Sequence, residues 1–364
     1  MVLLTRRLPS AAAVLCALLL LPGCTSLLFY PTREHVLTPE VIGLDYRDVQ
    51  FMAADGIRLH GWLLPAQGPA EGTILFVHGN AENISTHIAS VAWLPSQGYN
   101  VFLFDYRGFG ASEGAPDLDG LHRDTLAAIE KTFNFDGVHP ERIAVFGQSL
   151  GGSVAISTVL RSPRRPQIRG LIVEGAFSSY RRIARENLAE FEPTWLFQVP
   201  LSFTIDNRYH PEEDIAGISP VPVLIVHGAE DRIVAPTHAK DLFEAAHAPK
   251  ALWLIPGASH IQAFQMTETR QRLLTYLRRC VFAGNAGDPA PDACSDALPL
   301  ATWPAEMDAG LQRRGAPLPC RPSDGRRIRR HEELCGDRHL RRDRGPDGRR
   351  QRSGDAGAAA ARQR

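Results

Sequence analysis

The chain has 364 residues, 44% of them hydrophobic, and its 40 Lys and Arg side chains are balanced by 40 Asp and Glu to a formal net charge of zero. A chain of this length and apolar content can bury a large core. The balanced charge excludes a strongly basic nucleic-acid-binding protein and indicates no particular charged partner, so no nucleic acid is expected.

The N-terminus has the pattern of an export signal. Arg6 and Arg7 precede an apolar stretch at 11–21 that is too short to span a bilayer. The stretch ends in L-P-G-C at Cys24, which resembles the bacterial lipobox, where cleavage precedes an acylated cysteine. We predict a signal peptide at 1–23 and a lipid-bearing Cys24, with an uncleaved anchor or ordinary secretion as the alternatives.

The residues after Cys24 predict a place in the bacterial cell envelope. Lipoproteins kept in the inner membrane tend to carry aspartate next to the cysteine, whereas this chain has Thr25 and Ser26, so we expect outer-membrane sorting where such a membrane exists. Several acyl chains would hold the protein firmly at the membrane. Residues 24–46 are predicted to form a short tether, whose aromatic side chains either pack on the following domain or rest at the lipid interface.

Residues 47–283 are predicted to form one folded domain. Two strands at 49–53 and 57–64 are joined through Asp55-Gly56, a strong hairpin signal. Beyond them, buried strands alternate with helix-length amphipathic segments, and we predict strands at 73–77, 101–104, 143–146, 171–173, 221–226 and 251–255. This alternation predicts an α/β fold with a mostly parallel sheet covered by helices on both faces.

The pentapeptide G-Q-S-L-G at 147–151 follows one of these strands directly and precedes a helix-like run at 153–160. Its pattern, G-x-S-x-G, places the serine on a sharp strand-to-helix turn, where larger residues two positions to either side would collide with the backbone. Ser149 is therefore the candidate nucleophile of a serine hydrolase. The Leu150 N–H, at the start of the helix, is a candidate donor to an oxyanion.

The segment at about 177–218 interrupts the strand and helix alternation and is predicted to be a small cap. Its apolar residues Trp195, Leu196 and Phe197 are candidates for contact with an apolar substrate. An ordinary helix packed on the sheet is the alternative for this segment.

Candidate partners for the serine follow at the ends of the two last strands. Asp231 is the candidate acid and His260 the candidate general base. Glu230 is the alternative acid. Ser149, Asp231 and His260 could each instead be a helix cap or an ordinary loop residue. Their joint occurrence at three strand ends favours the catalytic interpretation.

Residues 284–364 are rich in Gly, Ala, Pro, Asp and Arg and are predicted to be a disordered tail. Two of the six cysteines, Cys280 and Cys294, could form a disulfide in an exported protein. The chain has no C-x-x-C or H-E-x-x-H motif and no phosphate-binding loop, so no metal or cofactor is predicted.

The order Ser, Asp, His and the strand ends that carry these residues resemble the α/β-hydrolase family over about residues 47–280. The family's early His-Gly-x loop is matched by H-G-N at 78–80. The resemblance implies that the Asn80 N–H is the second oxyanion donor and that His78 helps to hold the loop; His227, which also precedes a glycine at a strand end, is predicted to be structural. Relatives often continue this loop as H-G-N-A-G, whereas this chain has Glu82 at the last position.

A second motif, D-Y-R-G-F-G-A-S at 105–112, resembles the monoacylglycerol-lipase-like and Bem46-like branch, in which this loop is mostly architectural. Together these features predict a serine hydrolase that cleaves carboxylic esters of small molecules or lipids at a membrane surface. A thioesterase or a serine aminopeptidase would use the same residues. The non-enzymatic alternative is a lipid-anchored binding or scaffold protein that kept the fold without the chemistry.

Overall fold

The computed structural model describes residues 29–190, 202, 205, 208–283 and 294. The predicted signal peptide and Cys24, the predicted substrate contacts Trp195, Leu196 and Phe197, and the tail apart from Cys294 lie outside the described residues. No helix within the described ranges is both long enough and apolar enough to cross a membrane.

The described part of the chain is organised around a central sheet. Its strands are β1 (Tyr30–Pro31), β2 (Arg47–Met52), β3 (Arg58–Leu64), β4 (Gly72–Val77), β5 (Ala81–Glu82), β6 (Tyr99–Asp105), β7 (Ile143–Gln148), β8 (Ile168–Glu174), β9 (Val223–Gly228) and β10 (Lys250–Ile255). Eight of them form one sheet in the order β10-β9-β8-β7-β4-β6-β3-β2, and β1 pairs with β5 in a separate two-stranded sheet. The strands from β10 to β6 are parallel, whereas β3 is antiparallel to β6 and β2 is antiparallel to β3.

Helices cover both faces of this sheet. They are α1 (Ile84–His87), α2 (Leu118–Phe133), α3 (Leu150–Arg161), α4 (Tyr180–Glu190), α5 (Pro211–Asp214), α6 (Thr237–Ala245) and α7 (Thr267–Tyr276). Leu75 and Val77 of β4 belong to the apolar cluster that includes α2, α3 and α6, whereas Ile74 and Phe76 belong to the cluster that includes α7. Successive side chains of a strand point to opposite faces, so both faces are buried, as the sequence predicts.

A buried ion pair ties the predicted hairpin to the first long helix. The Arg107 guanidinium donates to Asp124 Oδ1 of α2 at 2.7 Å and to Asp55 Oδ2 in the β2–β3 turn at 2.8 Å. The Arg107 backbone N–H also donates to Asp124 Oδ2, at 2.8 Å. The D-Y-R-G loop therefore joins three elements through one side chain.

The segment predicted to be a tether packs on the domain from Phe29 onward. Phe29 is buried, β1 pairs with β5, and the Asn83 side-chain amide donates to the carbonyls of Thr32 and Glu34 at 2.9 and 2.8 Å. Tyr30, by contrast, is exposed. These backbone contacts cannot be read from the sequence because they join residues about fifty positions apart.

The end of the domain contains a disulfide. Cys280 lies in the turn Leu277–Val281 after α7 and is bonded to Cys294, the pairing considered from the sequence. The two Cα atoms are 5.5 Å apart, which is within the usual range for a disulfide.

Candidate active site

Ser149 occupies a strained turn between β7 and α3. Its φ of 54° and ψ of −121° lie outside the regions that L-residues normally adopt. The turn is held by a hydrogen bond from the Ser149 N–H to the carbonyl of Glu174 at 2.8 Å. Because the strand ends and the helix begins on either side of this residue, its hydroxyl projects beyond the edge of the sheet.

The two glycines of the pentapeptide are required by close backbone contacts. A Cβ on Gly147 would lie 2.5 Å from the carbonyl oxygen of Gly151, and a Cβ on Gly151 would lie 2.1 Å from that of Val77. Both distances are far below van der Waals contact, and the neighbouring atoms are backbone that cannot rotate away. The collision expected from the sequence is present at both positions.

His260 lies between the two other candidate residues. Its Nε2 is 2.9 Å from Ser149 Oγ, and its Nδ1 is 2.7 Å from Asp231 Oδ2. The structure therefore brings together three residues that are up to 111 positions apart. Glu230, the alternative acid, is exposed.

The Asp231 carboxylate is held in its charged form by three hydrogen bonds and by the nearby His227 ring, whose Nε2 also lies 2.9 Å from the Val234 carbonyl. Oδ1 accepts from the N–H groups of Ile233 and Val234, both at 2.9 Å. Oδ2 contacts His260 and also His227 Nε2, at 3.2 Å. Burial alone would raise the pKa of Asp231, but the contacts with the two histidines outweigh it and hold the pKa well below its usual value. The contact with His227 was not predicted, because nothing in the sequence indicates where a buried strand-end histidine points.

The predicted oxyanion donors lie beside the serine. Asn80 and Leu150 both line the cavity at Ser149, and Leu150 is the first residue of α3, so its N–H has no carbonyl partner within the helix. His78 is fully buried and donates from Nδ1 to the carbonyl of Gly79 at 2.8 Å. Burial lowers the pKa of His78 to about 3, so the ring is neutral and structural.

Glu82 occupies the position at which the H-G-N-A-G pattern has its last glycine. It adopts a left-handed φ of 61°, a conformation that glycine takes without strain. Pairing of β5 with β1 holds this residue in place, with the Thr32 N–H donating to the Glu82 carbonyl at 3.0 Å. The N-terminal segment thus supports the loop at the position where relatives often have glycine.

A mostly apolar cavity of about 150 Å³ opens at Ser149. An engineered apolar cavity of about this size accommodates benzene. Apart from Tyr180, the polar side chains among the described lining residues are those of Asn80, Ser149 and Asn187. The described lining consists of Phe29, Asn80, Leu118, Ser149, Leu150, Phe177, Tyr180, Ile183, Ala184, Asn187, Ile205, Ile233 and Val234. Phe29 was not predicted here, because it precedes the domain in the sequence.

Known proteins are similar to this chain in sequence and in fold. Residues 68–199 match the family model described as serine aminopeptidase, S33. The chain is 38% identical over 250 residues to the uncharacterized protein YfhR of Escherichia coli K12, an alignment that covers 67% of this chain and 83% of YfhR. It is 31% identical over 245 residues to the alpha/beta hydrolase domain-containing protein WAV2 of Arabidopsis thaliana, covering 64% of this chain and 78% of WAV2.

The solved structure of the Pyrococcus furiosus esterase Pf2001 is similar with a TM-score of 0.59 and 22% identity, covering 70% of this chain and 98% of that chain. At this identity the likeness bears on the fold alone. It agrees with the mostly parallel sheet and with the helices on both of its faces. Sequence similarity and architecture lead to the same conclusion: the chain belongs to the α/β-hydrolase family.

Proposed function

We propose that this protein hydrolyses carboxylic esters through Ser149, His260 and Asp231. The observation that carries the proposal is the position of His260, whose two ring nitrogens contact the serine hydroxyl and the aspartate carboxylate at 2.9 and 2.7 Å. An imidazole held in this way can accept a proton at Nε2 while Nδ1–H stays bonded to the carboxylate.

The reaction has two steps. His260 Nε2 accepts the Ser149 proton as Oγ attacks the carbonyl carbon, and the resulting oxyanion accepts hydrogen bonds from the Asn80 and Leu150 N–H groups. Collapse of this intermediate breaks the ester C–O bond, and His260 gives its proton to the departing alcohol. Water, deprotonated by the same histidine, then releases the acid from the serine. One oxyanion donor typically contributes about 3 kcal/mol of transition-state stabilisation.

The cavity favours a short, uncharged acyl group. Its volume of about 150 Å³ and its aliphatic and aromatic walls suit a few methylene groups. None of the described lining residues is acidic, whereas an aminopeptidase needs a carboxylate to bind the charged α-amino group of its substrate. The apolar walls suit the uncharged acyl group of an ester, although the matched family model bears the aminopeptidase description.

We further propose that lipid on Cys24 holds the enzyme at a membrane. Phe29, which lines the cavity, follows Cys24 by five residues, a span of at most about 18 Å. A substrate leaving the lipid surface would then reach the cavity over a short distance. In a bacterial host, a clickable palmitate analogue should label the full chain and the Cys16→Ala control but not Cys24→Ala. Equal labelling of the Cys24→Ala variant would contradict the anchor.

A fluorophosphonate probe tests the chemistry. We expect the full chain and the exposed-serine control Ser96→Ala to be labelled and Ser149→Ala not to be. Turnover of p-nitrophenyl acetate, butyrate and octanoate should peak at a short chain, with slower release from acyl thioesters and amino-acyl anilides. A folded protein that neither reacts with the probe nor turns over any of these substrates would instead support the binding or scaffold alternative.

A further inference from the structure

A second cluster of polar side chains lies outside the proposed catalytic triad. It joins His35 of the N-terminal segment, His60 of β3 and Asp105 at the end of β6. One nitrogen or oxygen atom from each residue lies within 4.8 Å of the others. His35 Nε2 is 2.8 Å and His60 Nδ1 is 3.5 Å from the same oxygen, Asp105 Oδ2.

The orientation of His60 is set from outside the cluster. Its Nε2 contacts Asp48 Oδ1 at 2.9 Å, and the Trp62 indole N–H donates to the same oxygen at 3.1 Å. With its proton on Nε2, the neutral ring presents the Nδ1 lone pair to the cluster. That atom is buried and has no hydrogen-bond partner among the described residues. A carboxylate behind the outer nitrogen is the arrangement that commonly orients a metal-binding histidine.

The two carboxylate oxygens of Asp105 have different partners. Oδ1 accepts the Ile84 N–H at 3.0 Å, whereas Oδ2 faces the two imidazoles and accepts the Ala111 N–H at 3.4 Å. The loop closes over the cluster at Gly110, where a Cβ would lie 2.0 Å from Oδ2 and 2.5 Å from His35 Nε2. The Asp105 side chain is buried, and the His35 side chain is 17% exposed. Solvent can therefore reach the cluster from the His35 side.

We propose that His35 Nε2, His60 Nδ1 and Asp105 Oδ2 bind a Zn²⁺ ion, with water as the fourth ligand. Two imidazoles and a carboxylate are a common zinc ligand set, and ligands about 2.0 to 2.1 Å from the ion lie roughly 3.3 Å apart in a tetrahedral site. The His60 distance, 3.5 Å, is close to this value, whereas the His35 distance, 2.8 Å, is shorter, so His35 and Asp105 would have to move apart on binding. Binding at Nε2 requires the neutral His35 ring to carry its proton on Nδ1 instead, so zinc would replace the hydrogen bond between His35 Nε2 and Asp105.

A proton on His60 Nδ1 would compete with the zinc ion for this atom. Burial alone would lower the pKa of His60, but contacts with Asp105 and Asp48 outweigh it and raise the pKa. Zinc binding would revise the sequence-based prediction of no metal. That prediction came from local motifs, and these three ligands are separated by 25 and 45 positions.

The zinc ion would have a structural role. It would fasten the N-terminal segment, six residues after Phe29, to the strands β3 and β6. The proposal does not depend on the ester chemistry, because metal binding is measured directly and without substrate.

Calorimetric titration of the metal-free full chain with Zn²⁺ tests the proposal. We expect one equivalent of Zn²⁺ to bind and Co²⁺ to give the visible absorption of a four-coordinate site. His35→Asn and His60→Gln should each weaken zinc binding at least tenfold, whereas the exposed-histidine control His247→Asn should not. Saturating zinc should raise the thermal midpoint of the wild type by about 5 °C and leave that of His35→Asn unchanged.

Two binding results would overturn the zinc site. One is the absence of stoichiometric Zn²⁺ or Co²⁺ binding to the folded wild type, and the other is equal binding to wild type and His35→Asn. The wild-type Co²⁺ spectrum decides the question even if the His60 variant does not fold. A doubly protonated His60 ring in the presence of excess zinc, seen by nitrogen NMR, would assign the position to a proton.

Discussion

Glu174 Oε1 accepts a hydrogen bond from the backbone N–H of Ala263 at 2.9 Å, three residues beyond His260. Its other oxygen, Oε2, accepts from the Gln148 side-chain amide at 2.8 Å, next to Ser149. Glu174 is fully buried, and burial raises its pKa while these hydrogen bonds act in the opposite direction. One carboxyl group thus joins the turn of the proposed nucleophile to the loop of the proposed base.

Replacing Glu174 with Ala should therefore misplace the His260 loop. We expect kcat for p-nitrophenyl butyrate to fall about 10- to 100-fold with little change in KM, because small displacements of a reacting group have effects of this size. Glu174→Gln keeps an acceptor for the Ala263 N–H and should recover part of the loss. The exposed Glu141→Ala is the matched control. If kcat is unchanged while the Glu174→Ala protein is less stable, Glu174 contributes to folding and not to the position of His260.

Phe29 should limit the length of the acyl chain. Phe29→Ala removes an aromatic wall of the cavity, so we expect the optimum among p-nitrophenyl esters to move from short chains toward octanoate. Tyr30→Ala is the neighbouring control, since Tyr30 is 67% exposed. A chain-length profile that is the same in both variants would show that other residues close the cavity.

Asp231 and Glu230 can be separated by kinetics. Asp231→Asn should lower kcat by about 10³- to 10⁴-fold, because it removes the charge that orients and stabilises protonated His260. Glu230→Gln should remain within about twofold of the wild type, since the Glu230 side chain is exposed. The opposite ranking of the two variants would assign the acid role to Glu230.

The Arg107–Asp124 pair should dominate the stability of the D-Y-R-G loop. Asp124→Ala leaves the buried Arg107 guanidinium without its main partner, and we expect a loss of about 3 to 5 kcal/mol in the free energy of unfolding by urea. Glu113→Ala breaks an exposed pair with Arg58, which is worth at most about 1 kcal/mol. Similar losses in the two variants would show that the Asp124 environment is better solvated than its burial indicates.

Acid should destabilise the fold through three buried histidines. Burial lowers the pKa of His78 to about 3 and holds the pKa of His122 and His238 below the usual value. Below about pH 6.5 the unfolded chain binds protons that the folded chain does not, so stability present at neutral pH is lost as the pH falls. At pH 5.5 each group whose folded pKa lies well below that pH costs about 1.4 kcal/mol.

Urea unfolding at pH 7.5 and 5.5 measures this loss. His122→Gln should reduce the loss by about 1.4 kcal/mol, whereas the exposed His247→Gln should leave it unchanged. A wild-type unfolding free energy that is equal at the two pH values would contradict the prediction.

Most of the central sheet and the positions of Ser149, Asp231 and His260 can be predicted from the sequence alone. Buried parallel strands appear as short apolar runs, and the serine motif has a local steric cause in Gly147 and Gly151, so both can be read from neighbouring residues. The order of the three residues along the chain then predicted that they would meet. The structure places them within hydrogen-bonding distance, while their catalytic roles await the kinetic tests.

The residues that surround this site are visible only in the folded structure. Phe29 lines the cavity of a serine 120 positions away, and His35, His60 and Asp105 converge from separate elements. Such contacts leave no periodic signal, because each depends on how the N-terminal segment packs against a sheet formed by later residues. Hydrophobic burial stabilises the fold, and its pattern is visible among neighbouring residues of the sequence. Which side chains meet around a site depends instead on how the whole domain packs.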